Sequence, residues 1–133
     1  MDTLDESVQS LIKIETEIDG EKATFTSEAV TDFFDPPTVE YEENTMKTVL
    51  KFFEDKMTVE KSVADYGLSL SIVNKETTYG KLSILGQCGE IGVRTSDYKF
   101  RRTSNGFFVK AEYVLLFSAD EQHTKILISV QKR

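Results

Sequence analysis

Apolar and polar side chains take turns along residues 11–131, and a repeat of two is the period of an extended strand rather than of a helix. Ile12, Ile14 and Ile18 fall on one face of the first segment and Lys13, Glu15 and Glu17 on the other, the pattern of a strand with one side in a core. Asp19-Gly20 follows, a pair suited to a two-residue type I′ turn because both positions need positive φ, so the next strand runs back antiparallel. In it Ala23, Phe25, Ala29 and Phe33 share the inner phase with Ser27 and Thr31, opposite Lys22, Thr24, Thr26, Glu28 and Asp32. Asp35-Pro36-Pro37 ends that ladder, since proline has no N–H to donate.

The alternation continues down the chain. Val39 and Tyr41 mark a third strand, Asn44-Thr45 a turn, and Met46, Leu50 and Phe52 the inner phase of a fourth. After Glu54-Asp55-Lys56 come two more strands, on Met57, Val59 and Val63 and, beyond Asp65-Tyr66-Gly67, on Leu68, Leu70 and Ile72. Residues 74–78 read as a loop. Leu82 and Ile84 open a long segment in which Gly86, Gly89 and Gly92 predict bulges or a sharp bend. Tyr98 and Phe100 lead to a second hairpin signal, Asn105-Gly106, followed by Phe107, Val109, Ala111, Tyr113 and Leu115 in one phase. Ile126, Ile128 and Val130 form the last inner face. No window holds helical spacing for ten residues. The expectation is an all-β chain of about 8–10 strands, connected up and down and closed into an antiparallel barrel, because closure removes exposed sheet edges. A sandwich ranks second.

A chain of 133 residues, 39% hydrophobic and 29% charged, suits one domain over residues 1–133. The acidic opening Met1-Asp2-Thr3-Leu4-Asp5-Glu6 lacks the basic and apolar parts of an export signal, and the apolar run from Tyr113 to Phe117 is far too short to cross a membrane as a helix. One cysteine, Cys88, forms no internal disulfide, which fits a reducing, cytoplasmic setting. The net charge of −7 is uneven: residues 1–44 set thirteen Asp and Glu against Lys13 and Lys22, a balance of −11, so the remainder carries +4. That balance argues against nucleic acid as a partner.

The order of features resembles the DUF1934 family of small bacterial proteins. The residues that carry the resemblance are Ile12, Ile14 and Thr16, then Asp19-Gly20-Glu21, Tyr41 with Glu43, Thr48 with Leu50-Lys51, Tyr79-Gly80, and Gly106 leading to Tyr113 and Leu115. The resemblance implies a calycin-like, lipocalin-related barrel in a cytoplasmic bacterial protein whose biochemical role is unassigned. Two departures stand out: Thr77-Thr78-Tyr79-Gly80 replaces a common Thr-Pro-Tyr-Gly, and the absence of tryptophan removes the Gly-x-Trp signature of true lipocalins.

Candidate chemistry is sparse. Cys88 and His123 lack the local signature of a nucleophile and its base; His123 reads as a solvated turn residue and Cys88 as a small buried hydrophobe. Two Cys and His residues in all are too few for a structural zinc site, and no phosphate-binding glycine loop is present, so neither enzyme activity nor a metal or cofactor is expected. Glu40 and Glu42 project from one strand face roughly 7 Å apart, a solvated pair by default. Lys99, Arg101 and Arg102 sit among Tyr98, Phe100, Phe107 and Phe108 and are the candidate contact for an anion or an acidic partner.

Two functions follow from the barrel. Inner positions such as Phe25, Leu50, Phe52, Leu70, Phe107 and Tyr113 are large and fill most of the interior, so a pocket for a small apolar ligand is expected along the second strand, at Ala23, Ser27 and Ala29. The alternative is a protein-interaction module that uses the charged outer surface.

Overall fold

The structure is a computed structural model and describes residues 7–133, residue 35 excepted. The acidic opening at residues 1–6 and Asp35 therefore lie outside the described residues. Ten strands are present among them: β1 (Ser7–Ile18), β2 (Glu21–Asp32), β3 (Thr38–Glu43), β4 (Met46–Phe52), β5 (Lys56–Val63), β6 (Tyr66–Val73), β7 (Thr77–Ile84), β8 (Gln87–Thr103), β9 (Gly106–Leu116) and β10 (Glu121–Lys132). Each pairs antiparallel with its neighbour in the chain, and β10 returns to β1, from Ser10 opposite Lys132 to Ile18 opposite Thr124, to close the barrel.

The turns follow the backbone chemistry of the sequence. Asp19 and Gly20 take φ of 49° and 90°, and Asn44 and Thr45 take 53° and 68°, as two-residue hairpins require. Two expectations need correction. The segment after Leu82 is not one strand with glycine bends: it breaks into β7 and β8 at Leu85 and Gly86, both at positive φ. The only register shift in β8 lies instead between Thr95 and Asp97, away from any glycine, and it brings Thr95 and Tyr98 into the same inward phase. Residues 74–78 are likewise only part loop, because Thr77 and Thr78 already belong to β7 and the Thr78 hydroxyl donates to the Ser71 carbonyl at 2.6 Å. Gly106 has no substitute, since a Cβ there would run into the Val130 carbonyl.

The interior is unequal along its axis. Toward one end Ile12, Val39, Phe52, Met57, Ile72, Phe107, Val109 and Val130 are buried. Phe107 stacks there with Phe52, Phe100 and Phe33 at centroid distances of 5.0, 5.5 and 5.8 Å. The Tyr98 hydroxyl donates to the Phe53 carbonyl at 2.8 Å, and the Tyr98 N–H donates to Asn74 Oδ1 at 3.0 Å, tying the hairpin turns shut. At the other end, ringed by the turns at Asp19, Asn44, Ala64, Leu85 and Ser118, inward residues such as Ile14, Phe25, Leu68, Leu82, Leu115 and Ile126 remain only half-buried. The packing is therefore denser at the first end, where only Phe33 and Phe100 of the inward aromatic residues are half-buried, and looser at the second, the open end.

The wall has a gap. β2 pairs with β3 only through Val30, Thr31 and Asp32, opposite Glu40, Val39 and Thr38. Residues 21–29 therefore hold β1 on one edge and, among the described residues, no strand on the other.

Candidate functional site at the open end

Along β2 the inward side chains grade from exposed to buried: Ala23 is exposed, Phe25 and Ser27 are half-buried, and Ala29 is buried. Their register fixes this face, because Ala23, Phe25, Ser27 and Ala29 lie opposite Thr16, Ile14, Ile12 and Ser10 of β1. Phe25 reaches across the gap to Tyr41 of β3, ring centroids 5.5 Å apart and tilted by 39°. A concavity of about 290 Å³ occupies the gap, lined by Ala29, Glu28, Val30, Glu40, Tyr41 and Glu42. Ala23 lines a second one of about 350 Å³ with Thr16, Ala111 and Ile126. Ser27 lines neither.

A few polar groups face the apolar interior toward this end. Thr95 and Thr124 flank Tyr113 in register, and the buried Thr95 hydroxyl has no hydrogen-bond partner among the described residues. Burial pushes the Tyr113 phenol up to about 12 and also raises that of Tyr41. Lys61 of β5 lies opposite Thr48 and Leu68, in the inward phase set by Met57, Val59 and Val63. This lysine is absent from the candidates named from the sequence, where its signal is a charge standing in the apolar phase of an alternating strand.

The three basic candidates do not form one site. Neighbouring residues of a strand face opposite ways, so Arg101 lies over the Phe108 ring on the outer surface at 5.7 Å, while Arg102 turns toward the closed end. There Arg102 donates to the Phe33 carbonyl at 3.2 Å and lies 5.6 Å from the Phe100 ring centre, beside Lys132 over Phe33 at 5.2 Å. Lys99 is on the outer face opposite Lys110.

Two further expectations change. Cys88 is exposed rather than buried, because it points outward at the start of β8 opposite Ser83. His123 is solvated but stands within β10, not in a turn, with Nε2 3.5 Å from Glu121 Oε1. Glu40 and Glu42 do lie on the outer face, where Glu40 pairs with Lys47 at 3.0 Å. Among the described residues no three His, Cys, Asp or Glu side chains gather to hold a metal ion.

No known family profile matches the chain, and no curated protein matches it in sequence. Among solved structures, the crystal structure of the YwiB protein from Bacillus subtilis superposes with a TM-score of 0.83 at 15% identity, over 96% of this chain and 94% of that one. The fold is YwiB-like. At that identity the likeness extends to the calycin-like barrel architecture, and the near-complete coverage of both chains leaves no large insertion on either side. No helix among the described residues is long and apolar enough to cross a membrane.

Proposed function

We propose that this YwiB-like chain acts as one domain, a member of the DUF1934 family in the cytoplasm, and that it holds a small apolar ligand in the open half of its barrel. One observation carries the reading: apolar side chains that register turns inward stay within reach of water at one end, while most of those toward the other end, Phe33 and Phe100 excepted, are buried. An apolar cavity with a few polar groups is the usual form of a small-molecule site. The ligand's apolar body lies against Ile14, Leu68, Leu82 and Leu115, and Thr95, Tyr113 and Lys61 supply polar contacts. The gap beside Ala23, Ser27 and Ala29 is the entrance.

Native mass spectrometry of the purified protein tests this, with an added mass that disappears on organic extraction as the expected result. A clean protein mass, together with failure of an apolar fluorescent probe to bind, would reject it. Capture of an acidic partner by the outer residues Lys99 and Arg101 would instead weaken steeply with salt, to which binding of an apolar ligand hardly responds.

A further inference from the structure

Residues 21–29 of β2 are the longest strand edge left without a registered partner among the described residues; shorter ones are residues 70–73 of β6 toward β7 and 87–91 of β8 toward β9. A bare edge displays backbone donors and acceptors at every second residue and templates another strand unless something blunts it. The segment holds no proline and no bulge, its register against β1 running without a shift from Ser7 opposite Asp32 to Ile18 opposite Glu21, and the charges it carries, at Glu21, Lys22 and Glu28, are of both signs. Glu21, Lys22, Ala23 and Thr24 are exposed whichever face they point to, so neither side of the strand is covered at that end.

The side chains along this edge are complementary to their own reversed copy. An antiparallel alignment centred on Phe25 sets Phe25 against Phe25, Thr24 against Thr26, and Lys22 against Glu28. These are an aromatic pair, two threonine pairs and two opposite-charge pairs, each of a kind that stabilises neighbouring strands. Among the described residues Lys22 has no ion pair, and the Glu28 side chain, 69% exposed, is paired with Arg133 at 3.0 Å. A two-fold axis through Phe25 sets Phe25 against its own copy once and repeats each of the other pairs twice, the condition for a closed, isologous interface.

We infer that the free edge of β2 docks a second copy of this chain, β2 against β2, so that two barrels share sheet across a two-fold axis. The pairing covers the gap between β2 and β3, so the dimer closes the ligand entrance proposed above, and its test needs no ligand.

Sedimentation across a range of concentrations tests it on the full chain. The wild type is expected to form dimers. Lys22→Glu or Glu28→Lys alone, each setting two like-charge pairs across the axis, weakens dimerisation about tenfold. The double variant Lys22→Glu/Glu28→Lys restores the pairing with its charges exchanged and returns the dimer. Both positions are exposed, and circular dichroism confirms that the variants fold. A wild type that stays monomeric, a dimer indifferent to both reversals, or a double variant as weak as the single ones would overturn the inference.

Discussion

Truncating one large side chain at each end of the barrel separates a packed end from an open one. Phe52 has no solvent exposure and sits 5.0 Å from Phe107 and 6.5 Å from Phe100, so Phe52→Ala removes a full ring from a site that cannot collapse around the loss. The cost is about 3–5 kcal/mol, from lost transfer energy and the cavity left behind. Leu68 also points inward, but water already reaches it. Leu68→Ala gives up about half of a leucine's burial and opens no sealed void, so it costs about 1 kcal/mol. For a domain of this length those losses lower the melting temperature by about 10–20 °C and about 5 °C or less. Urea unfolding followed by circular dichroism measures both, with unchanged slopes expected because neither variant alters the surface exposed on unfolding. Equal losses at the two positions would refute the reasoning, since they would mean that the barrel is filled alike throughout.

Four other outcomes follow. Ser27→Leu and Ala29→Leu place bulk at the gap in the wall and are expected to abolish binding of an apolar probe, while retained affinity in both would remove the entrance from β2. Burial raises the phenols of Tyr41, Tyr98 and Tyr113, the last to about 12, so the folded state favours their neutral forms; that stability is complete below pH 10 and falls as pH rises toward 12, and Tyr113→Phe should remove its part of the loss in alkaline unfolding curves. Gly106→Ala drives a methyl group into the Val130 carbonyl and costs about 1–3 kcal/mol in chemical denaturation. Cys88 is exposed, so a thiol reagent should modify it in the native protein as fast as in urea; protection in the native state would contradict its outward position.

The faces of the strands were legible from residue types alone, and their pairing was not. Alternation put Ile12, Phe25, Phe52 and Val109 inside because a strand has two faces and only one meets the core. It says nothing of how far neighbours run together, so the short pairing of β2 with β3, and the gap it leaves, had no sequence signal beyond the small side chains at Ala23, Ser27 and Ala29. The bulge near Ser96 was hidden for a similar reason: polar residues fit either phase, and no glycine marks the extra residue. Three glycines near Cys88 drew attention to bends, yet Gly86 makes a turn and Gly92 lies beneath Leu116. Lys99, Arg101 and Arg102 are close in sequence, and the pleat sends Arg102 to the opposite face.

Methyl spectra of the protein, recorded as an apolar ligand is added, address the open barrel most directly. Shifts confined to Ile14, Leu68, Leu82 and Leu115, with Ile72, Val109 and Val130 unmoved, are the expected result. Shifts spread evenly over both groups, or confined to outward residues such as Leu11 and Val49, would contradict a cavity at the open end.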